Sequence, residues 1–254
     1  MSRNARPRLI VTCEHGGNHV PAAYRPLFAH CRDLLESHRG YDPGALTMAR
    51  NLATAFDAKL IYATVTRLLV ELNRSPGHPR VFSEITRQLP AEERHRLLTR
   101  YYMPYRMEVE KLVVKTMRLG QVIHISSHSF TPVFDGSERR GDIGLLFDPA
   151  RESEARLCRA WQRALAHLAP DLIVRRNYPY RGISDGLTTH LRRRLREPCY
   201  LGMELEINQK HAAGDGAAWR TLRRTVTASL SIALAQCWPA SRGAAECKSF
   251  MTLS

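Results

Sequence analysis

Short apolar runs rich in β-branched residues recur at residues 9–13, 59–65, 68–72, 121–126, 143–147, 172–174 and 200–207, with stretches of helical period between several of them. Each run has the length of a strand, and a chain that alternates strands with helices covers both faces of its sheet. The expected architecture is therefore α/β, a three-layer α/β/α sandwich around a mostly parallel or mixed central sheet. Residues 43–56 read as a helix with Asp42 as N-cap and Pro43 in the first turn, placing Leu46, Ala49, Leu52 and Ala53 on one face. Residues 90–117 read as a long helical stretch that bends or breaks near Pro104, whose missing N–H removes a helical bond. Residues 152–168 and 217–234 are amphipathic, the second with Leu222, Val226, Leu230 and Ala233 near one stripe.

The 254 residues, 44% hydrophobic, contain no Gly/Ser-rich or Pro-rich linker, so residues 1–254 are expected to form a single domain ending in a helix and a tail. No apolar stretch approaches the roughly 18 residues of a membrane span. The basic N-terminus precedes only a brief apolar run, not the apolar core of a signal peptide, so a cytoplasmic protein without a membrane partner is expected. The six cysteines lie far apart with no C-x-x-C pair and read as reduced thiols, Cys13 as a buried strand residue.

Formal net charge is +14, with basic clusters at residues 192–196 and 220–224, and such an excess attracts anions. No zinc finger, RNP or other reader motif accompanies the charge, so nucleic acid ranks below a small acidic molecule as partner. There is no phosphate-binding P-loop, no Rossmann glycine fingerprint and no G-x-S-x-G elbow, which removes support for nucleotide-dependent and serine-hydrolase chemistry. No feature of the sequence sets an oligomeric state.

In an open α/β sheet, functional groups collect at the carboxyl ends of the strands. His15 follows the first apolar run and His128 follows the run at 121–126, and neutral imidazole is a common metal donor. His124 is assigned to the core or to a supporting role behind the ligands. Glu14 is adjacent to His15, so if the extended backbone continues the two side chains point to opposite sides. Asn73-Arg74 ends an apolar run ahead of the turn-rich Ser75-Pro76-Gly77; Arg offers a rigid fork for a carboxylate and Asn adds a polar contact. Glu204 and Glu206, two apart on an expected strand, share a face, and a central strand apolar on its other face carries them into a site or an ion-pair network. His190 reads as a transition-state donor or a loop histidine.

In order along the chain, Val11-Thr12-Cys13-Glu14-His15-Gly16-Gly17-Asn18 with Pro21, Tyr41-Asp42-Pro43-Gly44-Ala45, Arg67 through Asn73-Arg74, Ser127-His128-Ser129-Phe130-Thr131-Pro132, Asp142-Ile143-Gly144, residues 177–185 and Glu204-Leu205-Glu206-Ile207-Asn208-Gln209 resemble the N-formylglutamate amidohydrolase family. The resemblance covers about residues 9–211. It implies a phosphorylase/hydrolase-like fold similar to zinc carboxypeptidases and aspartoacylases. It also implies Zn²⁺ or another divalent metal at His15 and His128, a carboxylate-binding Asn73-Arg74 pair, and Glu206, or alternatively Glu204, as catalytic acid/base. Where those more distant relatives carry a glutamate ligand three residues after the first histidine, this chain has Asn18, and Asp42 is the replacement candidate. The implied reaction is metal-assisted hydrolysis of a small acidic N-acyl amino acid, with Arg67 or His190 aiding the oxyanion. The alternatives are a basic, non-catalytic binder of nucleic acid or another polyanion, and a metallohydrolase of peptides or cell-wall fragments.

Overall fold

The computed structural model describes residues 6–212 and 216–239. The apolar runs at both ends of the chain form the centre of the sheet. β1 (Arg8–Cys13), β3 (Val122–Phe130) and β8 (Tyr200–Asn208) lie side by side and parallel, with β2 (Lys59–Tyr62) as the parallel edge next to β1. β6 (Ile143–Leu146) runs antiparallel beside β8, and β7 (Val174–Arg176) closes the other edge, giving a six-stranded mixed sheet of order β2-β1-β3-β8-β6-β7 among the described residues. A separate two-stranded hairpin, β4 (Val133–Phe134) with β5 (Ser137–Glu138), follows β3 directly.

The period of two along the central strands sorts their side chains between two helical layers. Val11, Cys13, Ile123, Ile125, Leu201, Met203, Leu205 and Ile207 pack against α2 (Ala45–Ala55), α5 (Glu152–Leu168) and α7 (Ala217–Cys237). Ile10, Val122 and Tyr200 face α4 (Met103–Met117) and α6 (Leu187–Arg194). This is the expected three-layer α/β/α arrangement. In α2 the buried set is Ala45, Met48, Ala49 and Leu52, a helical i, i+3, i+4, i+7 stripe. Full burial of Met48 or Leu52 stabilises by about 1.5–3 kcal/mol each.

On the α4/α6 side, polar residues take over toward the carboxyl ends of the strands. Register pairs Thr12 with Ser126, Ser126 with Glu204 and His128 with Glu206, so the same face that is apolar at one end becomes a polar ladder at the other, buried except at the partly exposed Glu204.

Several sequence expectations are corrected. Residues 68–72 are not a strand. Leu68, Leu69, Val70 and Leu72 are buried, but the backbone turns, with Leu69 N–H donating to Thr66 O at 3.0 Å and Glu71 N–H to Val81 O at 2.9 Å. Composition marked the run as buried, whereas a strand also needs a neighbour to pair with. Helix α2 begins at Ala45 rather than Pro43; Gly44 occupies its N-cap with φ of 82°, and no side chain caps it. Asp42 is thereby freed from the capping role. The stretch at 90–117 is broken as expected, into α3 (Ala91–Leu97), a π-helical turn Leu98–Tyr102, and α4, whose second residue is Pro104. Helix α6 had no sequence signal, and α1 (Arg32–Glu36) is similarly short. Arg192, read as part of a surface basic cluster, is buried: it pairs with Glu154 at 3.0 Å and donates to the Gly202 carbonyl at 2.6 Å. Cys13, Cys31, Cys158 and Cys237 are free, but Cys199 is disulfide-bonded, against the expectation of reduced thiols throughout. Among the described residues no helix is long and apolar enough to cross a membrane.

Candidate active site

β1 ends at Cys13, and Gly16 and Gly17 then pass so close to the segment after β2 that a side chain at Gly16 would meet the Ala63 carbonyl; Gly16 N–H donates to that oxygen at 2.9 Å. The turn swings His15 back over the sheet, so Glu14 and His15 enter one cluster rather than opposite faces. Asp42 is delivered by the loop before α2, which is pinned by Asp42 N–H to His15 O at 2.9 Å and Ser129 Oγ to Pro43 O at 2.8 Å. His128 comes from β3, beside Glu206 on β8.

These residues converge. Asp42 Oδ2 lies 3.3 Å from His15 Nδ1 and 2.9 Å from His128 Nδ1, with the imidazole centroids 5.0 Å apart. The other nitrogen of each ring meets its own buried carboxylate: His15 Nε2 bonds Glu71 Oε1, and His128 Nε2 lies 3.0 Å from Glu14 Oε2. Glu14 is held in turn by the hydroxyls of Ser126 and of Tyr105, the latter donating at 2.8 Å. Glu71 accepts from Asn73 N–H at 2.8 Å and from Arg67 Nε at 2.8 Å, and Arg67 Nη1 also donates to Asp42 Oδ1 at 3.0 Å.

The electrostatics follow from this packing. Burial by itself raises carboxyl pKa values, but His128 and Ser126 hold Glu14 well below the usual range, Arg67 and His15 do so for Glu71, and His15, His128 and Arg67 for Asp42. Burial opposes charge on His128, yet its hydrogen bonds to Asp42 and Glu14 push its pKa up. Glu206 lacks such support. It is buried, its Oε2 has no hydrogen-bond partner among the described residues, and burial, together with the charges of Asp42 and Glu204, pushes its pKa up to about 8.

The donor set fits a divalent metal. His15, Asp42 and His128 offer ligand atoms within 4.8 Å of one another, all buried. Two bonds of roughly 2.0–2.1 Å at a tetrahedral centre separate their ligand atoms by about 3.3 Å, close to the 3.3 Å and 2.9 Å between Asp42 Oδ2 and the two Nδ1 atoms. Backing each ligating imidazole with a carboxylate is the usual way such rings are oriented and kept basic. Charge balance is compatible with this: with both imidazoles neutral, as ligation requires, Arg67 balances one of the three buried carboxylates Glu14, Asp42 and Glu71, and a divalent cation would balance the other two.

The remaining candidates are placed as follows. Asn73 Nδ2 lies 3.3 Å from His128 Nε2, and its Oδ1 accepts from Leu187 N–H at 2.7 Å, so the amide links the cluster to the start of α6. Arg74 Nη1 donates to the Asp185 carbonyl, and the Arg74 carbonyl accepts from Tyr102 Oη at 2.6 Å. Glu204 accepts from Thr188 Oγ1 at 2.9 Å. His190 is not brought into the cluster; it lies on α6, 4.0 Å from Glu110. His124 sits below the site, 2.8 Å from both Thr12 Oγ1 and Tyr200 Oη, and burial lowers its pKa to about 4. Asn18 donates to the Leu35 carbonyl at 3.2 Å. Sequence reasoning gave no role to Glu14, Glu71, Ser126 or Tyr105. The available signal was an acid embedded in an apolar run, as Glu71 is in residues 68–72, because such a group needs buried partners.

Known proteins add the lineage. Residues 7–212 match the model of the N-formylglutamate amidohydrolase family. Gene product Atu2144 from Agrobacterium tumefaciens has a similar structure, with a TM-score of 0.79 at 30% identity over 91% of this chain and 92% of that one. The CwlD amidase from Clostridioides difficile, solved in complex with the GerS lipoprotein, aligns over 91% of this chain and 98% of that one, but at 11% identity and a TM-score of 0.43 it bears on neither site nor substrate. No curated protein matches the chain. A family match spanning most of the chain, with a matching fold, means that the chain belongs to the N-formylglutamate amidohydrolase family.

Proposed function

We propose that the protein is a zinc-dependent amidohydrolase that cleaves the amide of a small N-acyl acidic amino acid, such as N-formylglutamate, in the cytoplasm. The observation that carries this reading is the convergence of His15 and His128 Nδ1 on one Asp42 oxygen, each ring backed by its own carboxylate, in the electrostatic reach of Glu206. His15, Asp42 and His128 would hold the ion, with another divalent metal as a possible occupant. When bound, the ion would polarise the scissile carbonyl and lower the pKa of a water toward about 7.

Glu206 is the proton carrier. Its carboxylate takes a proton from the water as the water oxygen attacks the acyl carbon, then returns it to the amide nitrogen as the C–N bond breaks. Glu204, two residues back on the same face and engaged with Thr188, is the alternate for this role. Arg67 holds Asp42 and Glu71 in place and lends positive charge to the developing oxyanion. Arg74, with Asn73, anchors a substrate carboxylate so that the scissile bond is presented in one orientation. His190 stands apart from this scheme.

The test is elemental analysis of gently purified protein coupled to a hydrolysis screen of N-formyl and N-acetyl amino acids. The expected result is stoichiometric metal, saturable formate release from N-formylglutamate, loss of activity on chelation and recovery with Zn²⁺. Full activity in metal-free protein, or no hydrolysis by metal-replete protein, refutes the reading.

A further inference from the structure

The β4–β5 hairpin holds a cation over the same end of the sheet. Arg139 leaves the hairpin with its backbone tied down: its N–H donates to Pro132 O at 2.7 Å, and its carbonyl accepts from Asn208 Nδ2 at 3.1 Å. Asn208 is the last residue of β8, two beyond Glu206, a strand advance of about 6.6 Å. The Arg139 anchor thus stands just past the proposed proton carrier.

Its guanidinium is stacked between two aromatic rings, 4.4 Å from the Phe134 centroid and 5.2 Å from that of Tyr180, and Nη1 donates to Tyr180 Oη at 3.2 Å. Both rings are exposed, at 43% and 44%. Exposed aromatics clamped on an arginine fix the fork without neutralising it. Among the described residues no carboxylate lies within salt-bridge distance of that guanidinium; the nearby Glu138 pairs with Arg140 at 3.5 Å. The loop carrying Tyr180 is seated on the sheet because Gly144, opposite Glu206, has no side chain to collide with the Tyr178 carbonyl. Tyr180 lies within electrostatic range of Arg67, and Arg67 and Arg139 both lower the pKa of His38.

An oriented, unneutralised fork beyond the reacting groups suits an anion at the far end of a substrate. We propose that Arg139 binds the side-chain carboxylate of an N-acylated dicarboxylic amino acid and so selects diacids over N-acyl amino acids with neutral side chains. This rests on the amidohydrolase reading above and adds a specificity residue to it, since Arg74 accounts for only one carboxylate.

The experiment compares wild type with Arg139→Met on N-formylglutamate and on N-formylglutamine, whose side chain has the same shape without the charge. The variant is expected to raise KM for the diacid by about tenfold or more, leave N-formylglutamine and metal content unchanged, and be partly rescued by Arg139→Lys. Equal losses on both substrates, or none, overturn the proposal. Should wild type hydrolyse neither substrate, the amidohydrolase reading falls, and calorimetric titration of the metal-loaded proteins with glutarate and butyrate decides Arg139 separately. A selective loss of glutarate affinity in Arg139→Met supports the assignment. Unchanged glutarate affinity, or no glutarate binding by wild type, overturns it.

Discussion

Glu206→Gln should make the metal-free protein more stable in alkali while leaving the metal-loaded protein inactive. The Glu206 side chain is buried, Oε2 has no hydrogen-bond partner among the described residues, and its pKa rises from 4.5 to about 8, first through burial and then through Asp42 and Glu204. A folded-state pKa above the unfolded value means that the neutral carboxyl is favoured by folding. That contribution is fully present below about pH 4.5 and is lost as pH rises through about 8. At about 1.4 kcal/mol per tenfold change in the ionisation constant, the whole loss is on the order of 5 kcal/mol, a large part of the roughly 5–15 kcal/mol that keeps a protein folded. Gln keeps the shape and carries no charge, so it removes the slope. Urea unfolding of chelator-treated wild type and variant should coincide within about 1 kcal/mol near pH 4.5, with the variant ahead by about 3–5 kcal/mol near pH 9. With metal restored, Glu206→Gln should retain the ion and lose on the order of 10²-fold or more in kcat, because Gln cannot accept the proton of water. Parallel stability profiles for the two proteins across this window would refute the picture of an unsupported buried carboxyl, and near wild-type turnover would move the acid/base role to Glu204.

Three further outcomes are expected. His15→Ala and His128→Ala should each lower metal occupancy while retaining the far-ultraviolet dichroism of the folded chain; full metal content in both variants rejects the ligand assignment. Glu14→Gln and Glu71→Gln remove the charge behind His128 and His15, and chelator competition should find metal affinity about 10–100-fold weaker; unchanged affinity would mean that the rings orient themselves. Arg74→Ala should raise KM for an acidic N-acyl amino acid about tenfold, equivalent to about 1.4 kcal/mol, with a smaller loss on the amidated substrate; equal losses would reduce Arg74 to its bond with the Asp185 carbonyl.

Much of the fold was legible because burial leaves a periodic mark. The runs at 9–13, 143–147 and 200–207 each became strands, and the even spacing of Glu204 and Glu206 correctly put both on one face of a central strand. Residues 68–72 carry the same apolar mark without becoming a strand, since composition reports burial and not whether a neighbouring backbone is there to pair. The N-cap reading of Asp42 failed for a similar reason. Asp-Pro is a good helix start, but its carboxylate is drawn instead to imidazoles that are 27 and 86 positions away in the chain.

What the sequence determined by itself was the alternation of elements, the polar residues at strand ends and the ordered motifs of the family. The tertiary structure alone decided that β8 inserts between β3 and β6, and that Glu14 and Glu71 stand behind the two histidines. It likewise decided that Arg139 rests between Phe134 and Tyr180. The physical reason is reach: periodicity and capping act over a few residues, whereas the partner of a buried charge is chosen by whichever segment the fold brings within hydrogen-bond distance, however far away in the chain it lies.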